Sequence, residues 1–248
     1  MREGIDRLSR LLVLCLISFM VPFILGGEPS HGATLTFAGR TWHVKSGAGL
    51  GPGPNNWSEQ NAWVDGNGNL HLKISRSGGK WRCAEVWTDE ALGFGRYEWY
   101  VDGRIDQLDK NVVLGLFNYG GSDGVNEIDI EFARWDVQGG SAGNFVVYPA
   151  QAGLSYARFP FDLVLNGSAT THRFLWNYDG VSFQSLQGWQ TGDANPIYSV
   201  DYRPQLYGMY VPQAGMPVHI NLWLYQGKPP SDKKAVEVVI GKFSYTPY

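Results

Sequence analysis

Cysteine and charged residues are scarce in this sequence. The chain has 2 cysteines among 248 residues, and charged residues make up 17% of it. Cys15 lies in an apolar N-terminal segment, so a chain without that segment keeps only Cys83 and cannot form an internal disulfide. We therefore expect the apolar core, rather than covalent cross-links, to stabilise the fold.

Charge of one sign is not concentrated anywhere in the chain. The formal net charge is −3, and neither a basic run nor a long acidic run is present, so nothing favours nucleic acid as a partner. The sequence also lacks internal repeats, low-complexity blocks and any clear amphipathic helix of about 12 residues or more. Chains of this length often form one β-sandwich or barrel, and we predict a single domain over 34–248.

The N-terminus carries the pattern of a secretory signal peptide. Three arginines among the first ten residues precede an unbroken apolar stretch over 11–25, and small residues follow it. We predict a signal peptide over 1–27, with cleavage as late as residue 33 as an alternative. The stretch is short for a membrane span and contains Pro22, although an uncleaved anchor stays open. We expect a secreted monomer, extracellular or periplasmic, without membrane association after cleavage.

The rest of the chain shows the alternation of apolar and polar residues that is typical of β-strands. Such runs occur at 69–75, 96–101, 171–183, 219–226 and 235–245. Within 171–183 two runs are joined by Asp179-Gly180, a strong β-hairpin signal. The Gly- and Pro-rich segment GAGLGPGPNN (47–56) predicts a loop within the domain. Many short strands with Gly-rich turns predict an all-β sandwich or jelly roll.

The segment NEIDIEFARW (126–135) places three acids at alternate positions: Glu127, Asp129 and Glu131. On a β-strand these three side chains share one face, and the opposite face, which we expect to pack into the core, is formed by Ile128, Ile130 and Phe132. A solvent-exposed face normally mixes residue types, whereas three neighbouring acids repel one another and raise at least one pKa. Calcium loops usually curl around their ion, unlike a strand flanked by apolar residues. We predict no metal site and no cofactor, although a structural calcium ion stays open.

Glycoside hydrolysis explains the row of acids better. A retaining glycosidase needs two carboxyl groups ~5–5.5 Å apart, one as nucleophile and one as acid/base. The Cα atoms of Glu127 and Glu131 would be ~13 Å apart on a strand, and leaning side chains and strand curvature can close much of that distance. Asp129 lies between them, where it can hydrogen-bond to one glutamate and keep their protonation states apart.

The sequence EIDIEF (127–132) resembles the active-site strand of glycoside hydrolase family 16, in the form found in lichenases and xyloglucan transglycosylase/hydrolases. The resemblance implies a β-jelly-roll sandwich of two antiparallel sheets with a concave sugar-binding cleft. It also implies Glu127 as nucleophile, Asp129 as the supporting acid and Glu131 as general acid/base. The segments 83–101, 171–183 and 220–227 are similar to further family stretches in the same order, so the resemblance covers roughly 37–245.

Three departures from the lichenase pattern concern specificity and cross-linking. Val125 stands where lichenases commonly have a Trp, and Trp87 stands near the place of an Arg. Cys83 lacks its usual disulfide partner, because the segment GPGPNNWS contains no cysteine. The glucan specificity of lichenases is therefore not carried over directly, whereas the catalytic assignment is unaffected.

Aromatic and amide side chains are candidates for binding sugar. Asn221 and Trp223 share one face of their strand, opposite three aliphatic residues, which suits a concave binding surface. Weaker candidates, from segments that should neighbour the acids, are Glu85, Trp87, Tyr119, Trp135 and Asn144. His172 and His219 are expected to make structural hydrogen bonds.

Three functions remain in competition. The leading hypothesis is a secreted retaining endo-β-glycosidase that hydrolyses a β-glucan-type polysaccharide, such as a β-1,3-1,4-glucan. The second is transglycosylation on xyloglucan or a similar glucan, in which a sugar hydroxyl replaces water at the same site. The third is a non-catalytic, lectin-like module, which would predict the loss of a catalytic acid, whereas all three acids are present.

Overall fold

The computed structural model describes residues 32–248, and the predicted signal peptide lies outside these residues. Within the described part, no helix is long and apolar enough to cross a membrane. Two large β-sheets dominate it. The first sheet contains, in spatial order, β1 (Thr34–Phe37), β2 (Arg40–Val44), β8 (Ala84–Thr88), β17 (Val218–Leu224), β10 (Val112–Tyr119), β11 (Glu127–Phe132), β12 (Gly143–Tyr148) and β13 (Ala157–Phe161).

The second sheet contains, in spatial order, β16 (Pro196–Tyr202), β15 (Gly180–Gln187), β14 (Ala169–Asn177), β9 (Gly95–Asp102), β18 (Val236–Pro247), β6 (Leu70–Ser77) and β5 (Ala62–Val64), with β7 (Lys80–Arg82) paired to β6. A short hairpin joins β3 (Gly47–Leu50) to β4 (Asn55–Trp57), and α1 (Tyr207–Tyr210) is a single turn. The strand pairs on both sides of β11 and of β9 are antiparallel. The structure is an all-β jelly-roll sandwich, as the sequence predicted.

The alternation of residues along the strands determines which side chains enter the core. On β11, Ile128, Ile130 and Phe132 are fully buried between the sheets. From the second sheet, Trp99 packs against Phe243 with ring centroids 5.4 Å apart. Each large apolar side chain buried in this way stabilises the fold by ~1.5–3 kcal/mol. Cys83 is buried and forms no disulfide within the described residues, so these apolar contacts hold the sandwich together.

Two local predictions need correction. Residues 47–56 form the β3–β4 hairpin rather than a loop, because Asn55 donates its side-chain amide to the carbonyls of Pro52 and Leu224 and ties the hairpin to β17.

The β14–β15 hairpin is confirmed, but its two-residue turn is Tyr178–Asp179, since Gly180 already pairs with Asn177. A Cβ atom at residue 180 would lie 2.2 Å from the Tyr202 carbonyl of β16, so glycine is required there for strand packing.

Candidate active site

The three acids lie near the middle of the first sheet, on the face away from the core. β11 pairs with β10 on one side and β12 on the other, so that Glu131 is level with Gly115 of β10. Gly115 is in turn level with Asn221 of β17. A Cβ atom at residue 115 would lie 2.5 Å from Asn221 Oδ1, so the glycine gives the Asn221 side chain its space beside the row of acids.

A cleft of about 900 Å³ opens above the acids. It is lined by nine of the ten residues that the sequence singled out: Glu85, Trp87, Tyr119, Glu127, Asp129, Glu131, Trp135, Asn221 and Trp223. Eight of these residues lie on four neighbouring strands, β8, β17, β10 and β11, and Trp135 lies in the turn that follows β11. The structure therefore brings together acids and aromatic rings that lie far apart in the chain.

The carboxyl groups of the row are linked and poorly hydrated. Asp129 is 4% exposed, and burial together with the charges of Glu127 and Glu131 raises its pKa well above the ordinary value. The side chains of Asp129 and Glu127 share a hydrogen bond, which raises the pKa of Asp129 further and lowers that of Glu127. That hydrogen bond favours the ionised form of Glu127, as a glycosidase nucleophile requires.

Burial also raises the pKa values of the two glutamates. The pKa of Glu127 rises to about 8 through burial and the charge of Glu131. The pKa of Glu131 rises to about 7, chiefly through burial. The roles implied by the resemblance require the pKa of Glu131 to lie above that of Glu127, and burial, which raises both values, does not by itself produce that order. Protons bound by this coupled row keep it from carrying three negative charges.

Asn144 does not line the cleft, contrary to the prediction that it contacts the substrate. Its side chain is 2% exposed and lies beside the acid/base candidate. Its amide nitrogen donates to Glu131 Oε2 at 3.1 Å, and its amide oxygen accepts from Arg158 Nε at 2.9 Å. The cross-strand pairing of Glu131 with Asn144 brings them together, and single-chain periodicity does not reveal that pairing.

Glu85 belongs to a charged group that sequence reasoning missed in part. Its carboxylate accepts hydrogen bonds from Lys45 Nζ at 2.7 Å and from His219 Nδ1 at 3.1 Å. Burial opposes its ionisation, but the positive charge of Lys45 and the contact with His219 outweigh this and hold the pKa of Glu85 below its usual value. Lys45 and His219 both line the cleft. The predicted structural hydrogen bond of His219 is present, and the residue also faces the cleft.

Aromatic stacking and a short loop complete this side of the cleft. Trp87 stacks between His43 and His219, with ring centroids 5.3 and 6.2 Å away. The β3–β4 loop reaches the cleft through residues 51–53, and Lys45 Nζ donates to the Gly51 carbonyl at 2.7 Å. No local sequence pattern marks Lys45, because its partners lie in the loop and on a different strand.

The remaining candidates differ in how far they enter the core. Trp223 is 9% exposed and belongs both to the core and to the cleft wall. Tyr119 lines the cleft and donates its hydroxyl to Asp123 Oδ1 at 2.9 Å. His172 lies in the core, bonded to Ser185 and Thr170, and burial lowers its pKa to about 3. The structural role expected for His172 is confirmed.

Solved structures share this architecture, although no family model matches the chain and no curated protein matches its sequence. The β-glucanase of Bacillus licheniformis is similar over 88% of this chain and 99% of its own, with a TM-score of 0.64 and 19% identity. A glycoside hydrolase family 16 protein from a mixed-linkage glucan locus of Bacteroides ovatus, solved with a product, covers 83% and 94%, with a TM-score of 0.63 and 13% identity.

An antigen of Mycobacterium tuberculosis described as a pseudo β-1,3-glucanase is also similar. It covers 84% of this chain and 91% of its own, with a TM-score of 0.63 and 19% identity. At these identities the likeness shows the fold. The chain has the fold of the family 16 β-glucanases, and the resemblance seen in the sequence is confirmed at that level.

Proposed function

We propose that the protein is a retaining endo-β-glycosidase that hydrolyses a β-glucan-type polysaccharide. The row of Glu127, Asp129 and Glu131 at the floor of the cleft carries this proposal. Alternate positions on one strand provide two glutamates that face the same sugar and a protonated acid between them. Such a pair of carboxyl groups is the requirement of double-displacement glycoside hydrolysis.

The reaction takes place in two displacements at the anomeric carbon. In the first, a carboxylate oxygen of Glu127 attacks that carbon, the glycosidic bond breaks, and Glu131 gives its proton to the departing oxygen. In the second, Glu131 takes a proton from water while the water oxygen attacks the anomeric carbon and releases Glu127. Two inversions give a product of retained β-configuration, and both glutamates return to their starting protonation states.

Asp129 supports the nucleophile rather than reacting with the sugar. Its hydrogen bond to Glu127 favours the ionised carboxylate before attack. The nearly complete burial of Asp129 keeps its own proton in place. The raised pKa of Glu131 keeps the acid/base candidate protonated at mildly acidic pH, as the first displacement requires.

A neutral β-glucan is the substrate class that suits the walls of the cleft. Trp87, Trp135 and Trp223 offer aromatic surfaces for the apolar faces of sugar rings, and Asn221 offers polar atoms for hydroxyl groups. Among the structural relatives, one is named for β-glucan and another for mixed-linkage glucan. We propose β-1,3-1,4-glucan or a related glucan on these grounds.

Two alternatives deserve a direct comparison. Transglycosylation onto a glucan acceptor uses the same covalent glycosyl-enzyme, with a sugar hydroxyl in place of water. The other alternative is a non-catalytic, lectin-like role on the same fold, and one similar structure is described as a pseudo β-1,3-glucanase. The three acids and their linked protonation in this chain favour catalysis over binding alone.

Hydrolysis of a polysaccharide panel tests the proposal. The panel contains β-1,3-1,4-glucan, β-1,3-glucan, xyloglucan and agarose, and proton NMR follows the anomeric configuration of the first product. We expect the β-anomer from a β-glucan. No product from any polysaccharide, or the α-anomer as first product, contradicts the proposal. A labelled oligosaccharide acceptor that appears in larger products identifies transglycosylation.

We further propose that the protein is exported and acts as a monomer. The arginine-rich start and apolar stretch over 11–25 support export. N-terminal sequencing of the mature protein from an expressing cell should begin between residues 28 and 34. A mature protein that begins at residue 1 contradicts the export proposal, and light scattering measures the mass of the particle in solution.

A further inference from the structure

The turn that follows the catalytic strand has an unfavourable backbone. Trp135 has a φ of 53° and Asp136 a φ of 64°, so two successive residues other than glycine adopt the left-handed region. Aspartate is tolerated there, whereas a bulky residue such as tryptophan rarely is. Strain of this kind persists only where surrounding contacts hold it, and it is concentrated at functional sites.

Asp136 supplies several of the contacts that hold this turn. Its carboxylate forms ion pairs with Lys110, which precedes β10, and with Lys228, which follows β17. Its backbone N–H donates to the Lys110 carbonyl at 2.9 Å. The two lysines hold the pKa of Asp136 at about 2, so the carboxylate is charged at neutral pH. Asp136 thus ties the turn to the segments flanking two strands of the cleft.

The strained turn places the Trp135 ring in the cleft wall. The ring centroid lies 5.4 Å from that of Tyr225 and 6.4 Å from that of Trp223. Trp135 and Trp223 both line the cleft. On β10, Gly115 is paired with Glu131 of β11. Val113, two residues before Gly115 on the same strand, is paired with Trp223 of β17. The two tryptophans therefore lie past the Glu131 end of the row of acids.

We propose that Asp136 is a positioning residue that holds the turn, so that Trp135 stacks on a sugar ring of the bound glucan. This inference rests on the proposed function and adds a specific subsite to it. The apolar face of a pyranose can lie on the exposed side of the indole, while the contacts with Trp223 and Tyr225 fix the orientation of the ring. Asp136 faces Lys110 and Lys228 rather than the sugar, so its effect on binding is exerted through Trp135.

A double-mutant cycle tests the link between the two residues. Trp135→Ala, Asp136→Asn and the double variant are made in the Glu127→Gln background, which allows binding to be measured without turnover. Asparagine keeps the size of the side chain and tolerates the left-handed conformation, so Asp136→Asn removes mainly the charge. Calorimetry then measures the affinity for a mixed-linkage glucotetraose, and the same three changes in the active chain give kcat and KM.

We expect Trp135→Ala to weaken binding roughly tenfold, which corresponds to ~1.4 kcal/mol. Asp136→Asn should weaken binding in the same direction and raise KM more than it lowers kcat. In the double variant, the loss of Asp136 should add nothing to the loss of Trp135. Additive effects, or unchanged binding in Asp136→Asn, would show that the ion pairs have only a structural role and would overturn the inference.

Two further comparisons separate positioning from general destabilisation. Asp201→Asn removes an exposed ion pair with Arg203 from the other sheet and should leave binding unchanged. Trp135→Gly should melt at a higher temperature than Trp135→Ala, because glycine adopts positive φ without strain. The opposite order would contradict the strained turn.

If the unsubstituted chain neither binds nor cleaves any glucan, the proposed function falls as well. If it cleaves glucan while the cycle is additive, only the inference falls.

Discussion

The side-chain amide of Asn144 donates a hydrogen bond of 3.1 Å to Oε2 of Glu131. The amide oxygen of Asn144 accepts from the guanidinium of Arg158 on β13, so a positive charge stands behind the acid/base candidate. Burial raises the pKa of Glu131 to about 7, and both Asn144 and Arg158 oppose that rise. This chain of contacts connects an exposed arginine to the pH dependence of the proposed reaction.

The first prediction is that Arg158→Met shifts the kcat/KM profile to higher pH. The positive charge favours ionised Glu131, so its loss raises the pKa and keeps the acid protonated to higher pH. We expect a shift of less than about 1 pH unit, because the charge acts through Asn144 rather than by direct contact. Arg76→Met, which changes an exposed arginine of the other sheet, is the control. A profile that stays in place or moves to lower pH would count against the relay.

The second prediction separates the two roles of Glu131. Glu131→Gln should slow hydrolysis of natural β-glucan by ~10²–10⁴-fold, the usual contribution of a general acid. Aryl glycosides with good leaving groups need little protonation, so their first step should be largely spared. Stopped-flow measurement of phenol release on these substrates makes the comparison. Equal losses on both substrate types would exclude the acid/base role.

The third prediction concerns the nucleophile. Glu127→Gln should reduce hydrolysis to background while circular dichroism remains unchanged, because Gln keeps the shape of Glu but cannot attack the anomeric carbon. Azide added to Glu127→Ala should restore turnover and give a glycosyl azide of inverted configuration. Full activity in Glu127→Gln would refute the assignment, and Asp102→Asn, on the second sheet, serves as a control for charge removal alone.

The fourth prediction links the row of acids to stability. The folded-state pKa values of Glu127 and Glu131, about 8 and 7, lie above their ordinary value of 4.5. The folded protein therefore binds more protons than the unfolded chain at neutral pH, and stability falls as pH rises through 7 and 8. Each proton contributes a slope of at most ~1.4 kcal/mol per pH unit.

Thermal unfolding between pH 6.5 and 8.5 checks this slope. Buried His172, whose pKa falls to about 3, destabilises the fold only below pH 6.5, so the chosen window avoids its contribution. Glu127→Gln should have a flatter profile and melt higher than the unsubstituted protein at pH 8. A melting temperature that rises with pH across this window would show that the acids are not held protonated.

The fifth prediction concerns Trp223, which lines the cleft and also packs into the core. Trp223→Ala should lower kcat/KM through lost stacking, by an amount that corresponds to ~1–3 kcal/mol of transition-state stabilisation. It should also lower the free energy of unfolding by up to ~3–5 kcal/mol, because a mostly buried Trp leaves a cavity. Kinetics at a temperature where the variant is folded, together with denaturant unfolding, measure the two effects. Normal kinetics on the folded fraction would confine Trp223 to the core.

Much of the row of acids and of the core was predictable from the sequence. The two-residue period of a strand determines that Glu127, Asp129 and Glu131 share a face and that Ile128 and Ile130 lie opposite. Alternation in short runs likewise predicted an all-β sandwich or jelly roll. These features depend on local geometry, which every strand imposes on its own residues.

Long-range pairing decided the rest. Whether Asn144 faces the sugar or lies buried beside Glu131 depends on the register between β11 and β12. Lys45 and His219 reach Glu85 only because the sheet places β8 beside β17 and next to the segment after β2. The two-residue period of a strand assigns each residue to one face of the sheet, but it contains no information about which strand lies alongside. The amino-acid sequence by itself therefore determined the chemistry of the catalytic strand, whereas the tertiary structure decided which distant residues surround it, because hydrogen-bond register between strands is set by the packing of the whole sandwich.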